Sequence, residues 1–171
     1  ERVRASGLWN VRHVGDAYDR RFLDVLDALA RGEPADAELR VPKAAEPSTG
    51  SAAAPTTGRI LALISCTKKK ASRPCRAEEL YAPSQLFRKA FEYARRNATG
   101  IAILSAKHGL VRPSEVIAPY EQTLGSASAG ERRRWARAVH EALRAAPEYV
   151  NAGTILWLAG EDYRSELLPL V

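Results

Sequence analysis

Apolar residues recur along this chain in two rhythms. From Asp16 to Arg31 they fall at Tyr18, Phe22, Leu23, Val25, Leu26 and Leu29, three and four apart, which predicts an amphipathic helix. Asp16 can cap its start, and Gly32 follows its end. Three later runs are short and continuously apolar: Ile60–Ile64 within R-I-L-A-L-I-S-C-T-K-K-K, then Ile101–Ala106, then Thr154–Ala159. Runs of that length predict buried strands. Between the first two, Leu86, Phe87, Ala90, Phe91 and Ala94 share one helical face, with Arg88, Lys89, Arg95 and Arg96 on the other. Pro83 and Ser84 start that helix, and Asn97 and Gly100 end it. A third helix is expected from about Ala129 to Ala146, with Trp135, Ala138, Val139, Ala142 and Leu143 as its stripe, and a short helix at Arg164–Leu168 closes the chain.

Strand, helix, strand in that order predicts parallel strands joined by right-handed crossovers. The expected fold class is therefore α/β: a three-layer domain with a short parallel sheet of βαβ units over residues 59–171. It is preceded by an N-terminal helical segment (1–32) and a flexible linker (33–58) of Pro, Ala, Ser and Thr without periodicity. Residues 1–15 have only Trp9, Val11 and Val14 as anchors and receive no assignment. Arg73–Tyr81 reads as a polar connection and Leu110–Leu124 as a loop. One helix cannot bury its own apolar face, so the N-terminal helix is expected to contact another domain or subunit.

Composition narrows the function classes. A net charge of +6 and a pI near 9.6 point to an anionic partner. No apolar run approaches the ~20 residues that span a bilayer, and no signal peptide is visible, so a cytoplasmic protein without a membrane partner is expected. Cys66 and Cys75 make neither a disulfide framework nor a zinc site, and no metal or cofactor is implied. Walker, dinucleotide and G-x-S-x-G motifs are absent, which leaves ATPase, dehydrogenase and hydrolase-elbow readings unsupported. The chain starts at Glu1 and contains no methionine, so it is expected to be a fragment of a longer product.

Each strand runs into a polar cluster: Ser65–Lys70, Ser105–Gly109 and Gly160–Tyr163. Parallel strands bring their carboxyl ends to one edge, where open α/β sheets bind ligands. Lys68, Lys69, Lys70, Lys107 and His108 suit a phosphate or carboxylate. Glu121 and Glu161 supply carboxylates, and Tyr81, Tyr120 and Tyr163 can stack on a base or donate a hydroxyl. Cys66 is either a nucleophile or a small buried residue at a strand end. His108 is either a general acid or base or a loop residue bonded to backbone. Arg132–Arg134 read as a solvated helix start whose charge opposes the dipole.

The motifs I-S-C-T-K-K-K, E-L-Y-A-P-S-Q-L-F-R-K-A-F-E-Y-A, I-L-S-A-K-H-G-L-V and I-A-P-Y-E-Q-T-L resemble, in that order, an uncharacterised bacterial YaaA-like domain family. Its layout is similar to the uracil-DNA-glycosylase-like domains of archaeosine-synthesis enzymes. The resemblance covers about residues 59–171. It implies site residues at Ser65, Cys66, Thr67, Lys68 and Lys70, at Tyr81, Ser84 and Phe87, at Ser105, Lys107, His108 and Gly109, and at Pro119, Tyr120, Glu121 and Thr123. Similar proteins continue past Tyr163 into a Gly-containing segment and a further helix, so C-terminal truncation is expected.

Together these readings predict an enzyme directed at nucleotides or nucleic acid, glycosylase- or base-transferase-like, acting at a nucleobase or N-glycosidic bond. His108, Glu121 and Cys66 are the expected catalytic residues. Ser65, Thr67, Lys68, Lys70, Tyr81, Ser105, Lys107, Gly109, Tyr120, Thr123, Gly160 and Tyr163 would bind substrate. The alternative is a non-catalytic DNA-binding protein of the oxidative-stress response, with Arg88, Lys89, Arg95, Arg96 and Arg132–Arg134 tracking phosphates.

Overall fold

The apolar runs form the centre of a sheet. The structure is a computed structural model that describes residues 10–13, 59–150 and 152–171. The helix expected over 16–31 and the linker over 33–58 lie outside the described residues. In chain order the elements are β1 (Asn10–His13), β2 (Ile60–Ser65), β3 (Cys75–Arg76), α1 (Ala77–Leu80), α2 (Gln85–Asn97), β4 (Gly100–Ser105), β5 (Gly109–Val111) and β6 (Val116–Ile117). α3 (Ala129–Ala145), α4 (Pro147–Val150), β7 (Thr154–Leu158), α5 (Glu161–Leu167) and a 3-10 turn (Leu168–Leu170) follow.

The main sheet has the order β1-β7-β2-β4-β5. Its first four strands are parallel, and β5 closes the edge antiparallel to β4. The fold is thus α/β, as the periodicity predicts. β2 is central, and Leu61, Ala62, Leu63 and Ile64 are all buried, as expected for a strand covered on both faces. Ile64 pairs with Ile103 on one side and Leu158 on the other, so the carboxyl ends of β2, β4 and β7 lie level.

The connections decide what meets at that edge. β2 to β4 through α2 steps one way, whereas β4 to β7 through α3 steps back across β2. Right-handed connections in opposite directions put α2 and α3 on opposite faces, giving three layers. α5 packs on α3, so the chain leaves β7 toward the face of α3 while it leaves β2 toward that of α2. The edge between β2 and β7 is therefore a topological switch point, where a crevice opens.

Local chemistry fixes the helix starts. The Ser84 side chain accepts from Phe87 N–H at 3.4 Å and caps α2. At α3, Ser128 and Glu131 form a reciprocal capping box. Hydrogen bonds from the Ser128 side chain and backbone hold the Glu131 carboxyl below its usual pKa. A carboxylate in the first turn, with Arg132 donating to Ala127 O, offsets the unfavourable placement of Arg132–Arg134.

Three features were not anticipated. Residues 10–13 add a parallel edge strand on β7. Gly109, at φ 70°, turns the chain back after Ala106-Lys107-His108, so Leu110 and Val111 form a strand where a loop was expected. Arg73–Tyr81 is no simple polar connection: Cys75–Arg76 pairs with Val116–Ile117, and Ala77, Leu80 and Tyr81 are fully buried. Among the described residues no helix is long and apolar enough to cross a membrane.

Candidate functional site

At the switch point the end of β2, the first turn of α5, the start of α2 and the segment Gln122–Ser126 enclose a cleft of about 680 Å³. That volume suits a small organic ligand such as a nucleotide. Cys66, Thr67, Lys68 and Lys69 line one wall, Asp162 and Tyr163 come from α5, and Ser84 and Leu86 come from α2. The loop after β2 is folded by its own bonds. Thr67 Oγ1 donates to Lys69 O at 3.2 Å, and Lys70 Nζ donates to Lys68 O at 3.4 Å. Lys68 and Lys69 are exposed and line the cleft, whereas Lys70 turns elsewhere.

The other walls are held as firmly. Gln122 Nε2 donates to Ala106 O at 3.1 Å, and the Thr123 and Ser126 hydroxyls lie 3.0 Å apart. A Cβ on Gly125 would fall 2.9 Å from Asp162 Oδ2, so only glycine lets that carboxylate lie against the loop undisturbed. The Tyr163 hydroxyl is 3.1 Å from Cys66 Sγ, and the Trp135 ring packs edge-on against Tyr163 at 5.5 Å. The cleft thus combines two ammonium groups for an anion, a carboxylate able to take a proton, and a thiol with several hydroxyls for hydrogen bonding.

Behind the cleft lies a buried hydroxyl network centred on Tyr120. Its hydroxyl is 2.8 Å from that of Tyr81 and 2.7 Å from Ser105 Oγ, which also accepts from His108 N–H at 3.0 Å. Ser105 O accepts from Trp135 Nε1 at 2.8 Å. Lys70 Nζ sits 4.4 Å from the Tyr120 ring centroid and Lys107 Nζ 5.9 Å from it, both within cation–π reach. Burial pushes the Tyr81 phenol up to about 12. It raises Tyr120 further, with the neighbouring Cys66 adding to the effect. Both phenols are neutral at physiological pH and act as hydrogen-bonding struts.

The residues expected from sequence divide between these two environments. Cys66, Thr67, Lys68, Thr123 and Tyr163 line the cleft. Lys70, Tyr81, Ser105, Lys107 and Tyr120 gather in or around the hydroxyl network instead. Tyr81 and Tyr120 are buried, which removes their rings from stacking on a base. His108 and Glu121, expected as catalytic residues with Cys66, are exposed and do not line this cleft. His108 is carried away by the tight turn that Gly109 makes and packs edge-on against Tyr120 at 5.3 Å. Ser65 is buried within β2, and Gly160 caps α5 and is buried too.

Asp162, Gln122, Ser126 and Gly125 complete the cleft and were missed as site residues. For Asp162 a signal existed. Glu161 stands three residues before Arg164 and pairs with it at 2.8 Å, which leaves Asp162 as the free carboxylate of that cluster. The arginine face of α2 is compensated: Arg96 pairs with Glu92, Arg88 donates to Ala82 O, and Glu78 and Glu79 line the same groove.

A family model described as a family of unknown function, DUF6884, matches residues 61–171, and a GIY-YIG domain model matches residues 1–35. No curated protein and no solved structure matches the chain.

Proposed function

The chain belongs to the family of unknown function DUF6884, and we propose that its domain is a nucleic-acid-directed enzyme acting at a nucleobase or its N-glycosidic bond. The observation that carries this reading is the cleft at the switch point, with Lys68 and Lys69 on one wall and Asp162 on another. The lysines hold a phosphate by charge. Asp162 accepts a proton from water as the water oxygen bonds to the sugar C1′. The C1′–N bond breaks, its electron pair leaves with the base, and the base takes up a proton from solvent. Tyr163, braced by Trp135 and bonded to Cys66, positions the substrate.

Three further points support a nucleic-acid partner. GIY-YIG domains, matched here over residues 1–35, occur in nucleases. The chain is basic. Its motifs also resemble the YaaA-like family, with its glycosylase-like layout.

The test is release of free base from nucleotides and oligonucleotides, read by chromatography. Wild-type chain should release base, and Asp162→Asn should be slower by about 100-fold or more while still binding substrate. Lys68→Ala with Lys69→Ala should raise KM. An Asp162→Asn variant at the wild-type rate, or no release by wild type from any base, overturns the proposal.

A further inference from the structure

The outer face of α3 carries a cationic stripe that the cleft does not use. At about 100° per residue, Arg133, Arg137 and Arg144 fall within about 40° of one another around the helix. All three are exposed, and none makes a hydrogen bond or ion pair with another described residue. Glu131 is engaged in the capping box with Ser128, and Glu141 stands about 40° from Arg137 and about 60° from Arg144 around the helix without pairing with either. Trp135, whose ring meets Tyr163, points to the opposite side, so the stripe faces outward. It runs for about 16 Å along the axis.

Its position relative to the cleft gives it meaning. Ser126 is a cleft wall residue, Ser128 caps α3, and Arg133 stands about 6 Å along the axis from Ala129. The stripe therefore starts near the end of α3 that follows the cleft wall, on the side of the helix turned away from Tyr163, and runs away along the axis. We infer that α3 is a tracking surface for a nucleic-acid backbone continuing from the nucleotide held in the cleft, so that the substrate is a polynucleotide and not a free nucleotide. This rests on the cleft reading above. Charge complementarity selects the occupant: unpaired guanidiniums in a row suit successive phosphates. The arginines of α2 do not offer this, since Arg96 is paired with Glu92 and Arg88 donates to Ala82 O.

The experiment measures binding alone, which separates it from the outcome of the base-release assay. A labelled oligothymidylate of about 12 nucleotides and thymidine monophosphate are titrated against the full chain at several salt concentrations. Removing three phosphate contacts in the variant R133A/R137A/R144A should lower the slope of log affinity against log salt by about 2 for a single strand. Between 50 and 200 mM salt the wild type should then lose roughly 20-fold more affinity than the variant. Affinity for the monophosphate should not change, and R133K/R137K/R144K should restore the slope. An unchanged slope in the alanine variant, or no wild-type affinity for the oligothymidylate, overturns the inference.

Discussion

Replacing Tyr120 by Phe removes one oxygen from the buried network and leaves the ring that Lys70 and Lys107 approach. Two hydrogen bonds go with it, one to Tyr81 and one to Ser105. The losses differ in kind. Ser105 Oγ keeps the His108 N–H, whereas the Tyr81 hydroxyl is stranded in a side chain that is 0% exposed. An intramolecular hydrogen bond nets about 1 kcal/mol, and a stranded buried hydroxyl costs about 1–3 kcal/mol. After allowing for the Tyr120 hydroxyl that no longer needs burying, Tyr120→Phe should destabilise the domain by about 2 kcal/mol. Tyr81→Phe should cost about 1 kcal/mol, since Tyr120 still reaches Ser105.

The double variant discriminates. With both hydroxyls gone neither is stranded, so its cost should be about 2 kcal/mol, not the summed 3, a coupling of about 1 kcal/mol. Urea unfolding followed by tryptophan fluorescence reads this directly, with the slope on denaturant unchanged. Costs that add to within about 0.3 kcal/mol would refute the network as described, because independent sites add to that precision.

The same network predicts alkaline behaviour. A folded pKa raised above the ordinary 10 contributes stability that is complete below about pH 10 and is lost as pH rises toward the value of about 12 for Tyr81. Stability of the wild type should fall between pH 10 and 12, and Y81F/Y120F should flatten that fall; equal slopes would refute the assignment. Gly125→Ala should push the Asp162 carboxylate aside, lowering the rate of base release without lowering Tm appreciably, since the clashing atom ends a flexible side chain. An unchanged rate would show that Asp162 need not occupy its present position.

Much of the fold was legible because burial on both faces writes itself plainly. Strands β2, β4 and β7 are short apolar runs, and α2 and α3 repeat at helical spacing between them. The missed elements have little pattern to read. β3 and β6 have two residues each, and β5 has three. Asn10–His13 alternates too briefly to stand out, and its strand character comes from the β7 edge it pairs with.

The site was legible only as far as the sheet edge, and the connection geometry explains the limit. Three polar clusters at three parallel strand ends do meet, but a crevice opens where neighbouring chains leave for opposite faces. β2 and β7 satisfy that condition, so Lys68, Lys69, Asp162 and Tyr163 face one cleft. β4 instead turns straight into β5, so Ser105 is drawn beneath the sheet edge, and Lys107 and His108 end on a hairpin tip. The residues Lys-His-Gly look catalytic in one dimension because they follow a strand. In three dimensions they brace Tyr120, and Tyr120 heads the segment Glu121–Ser126 that carries most of one cleft wall. Substitutions there should act by loosening Gln122–Ser126, whereas in the proposed reaction substitutions at Asp162 should act on the attacking water itself.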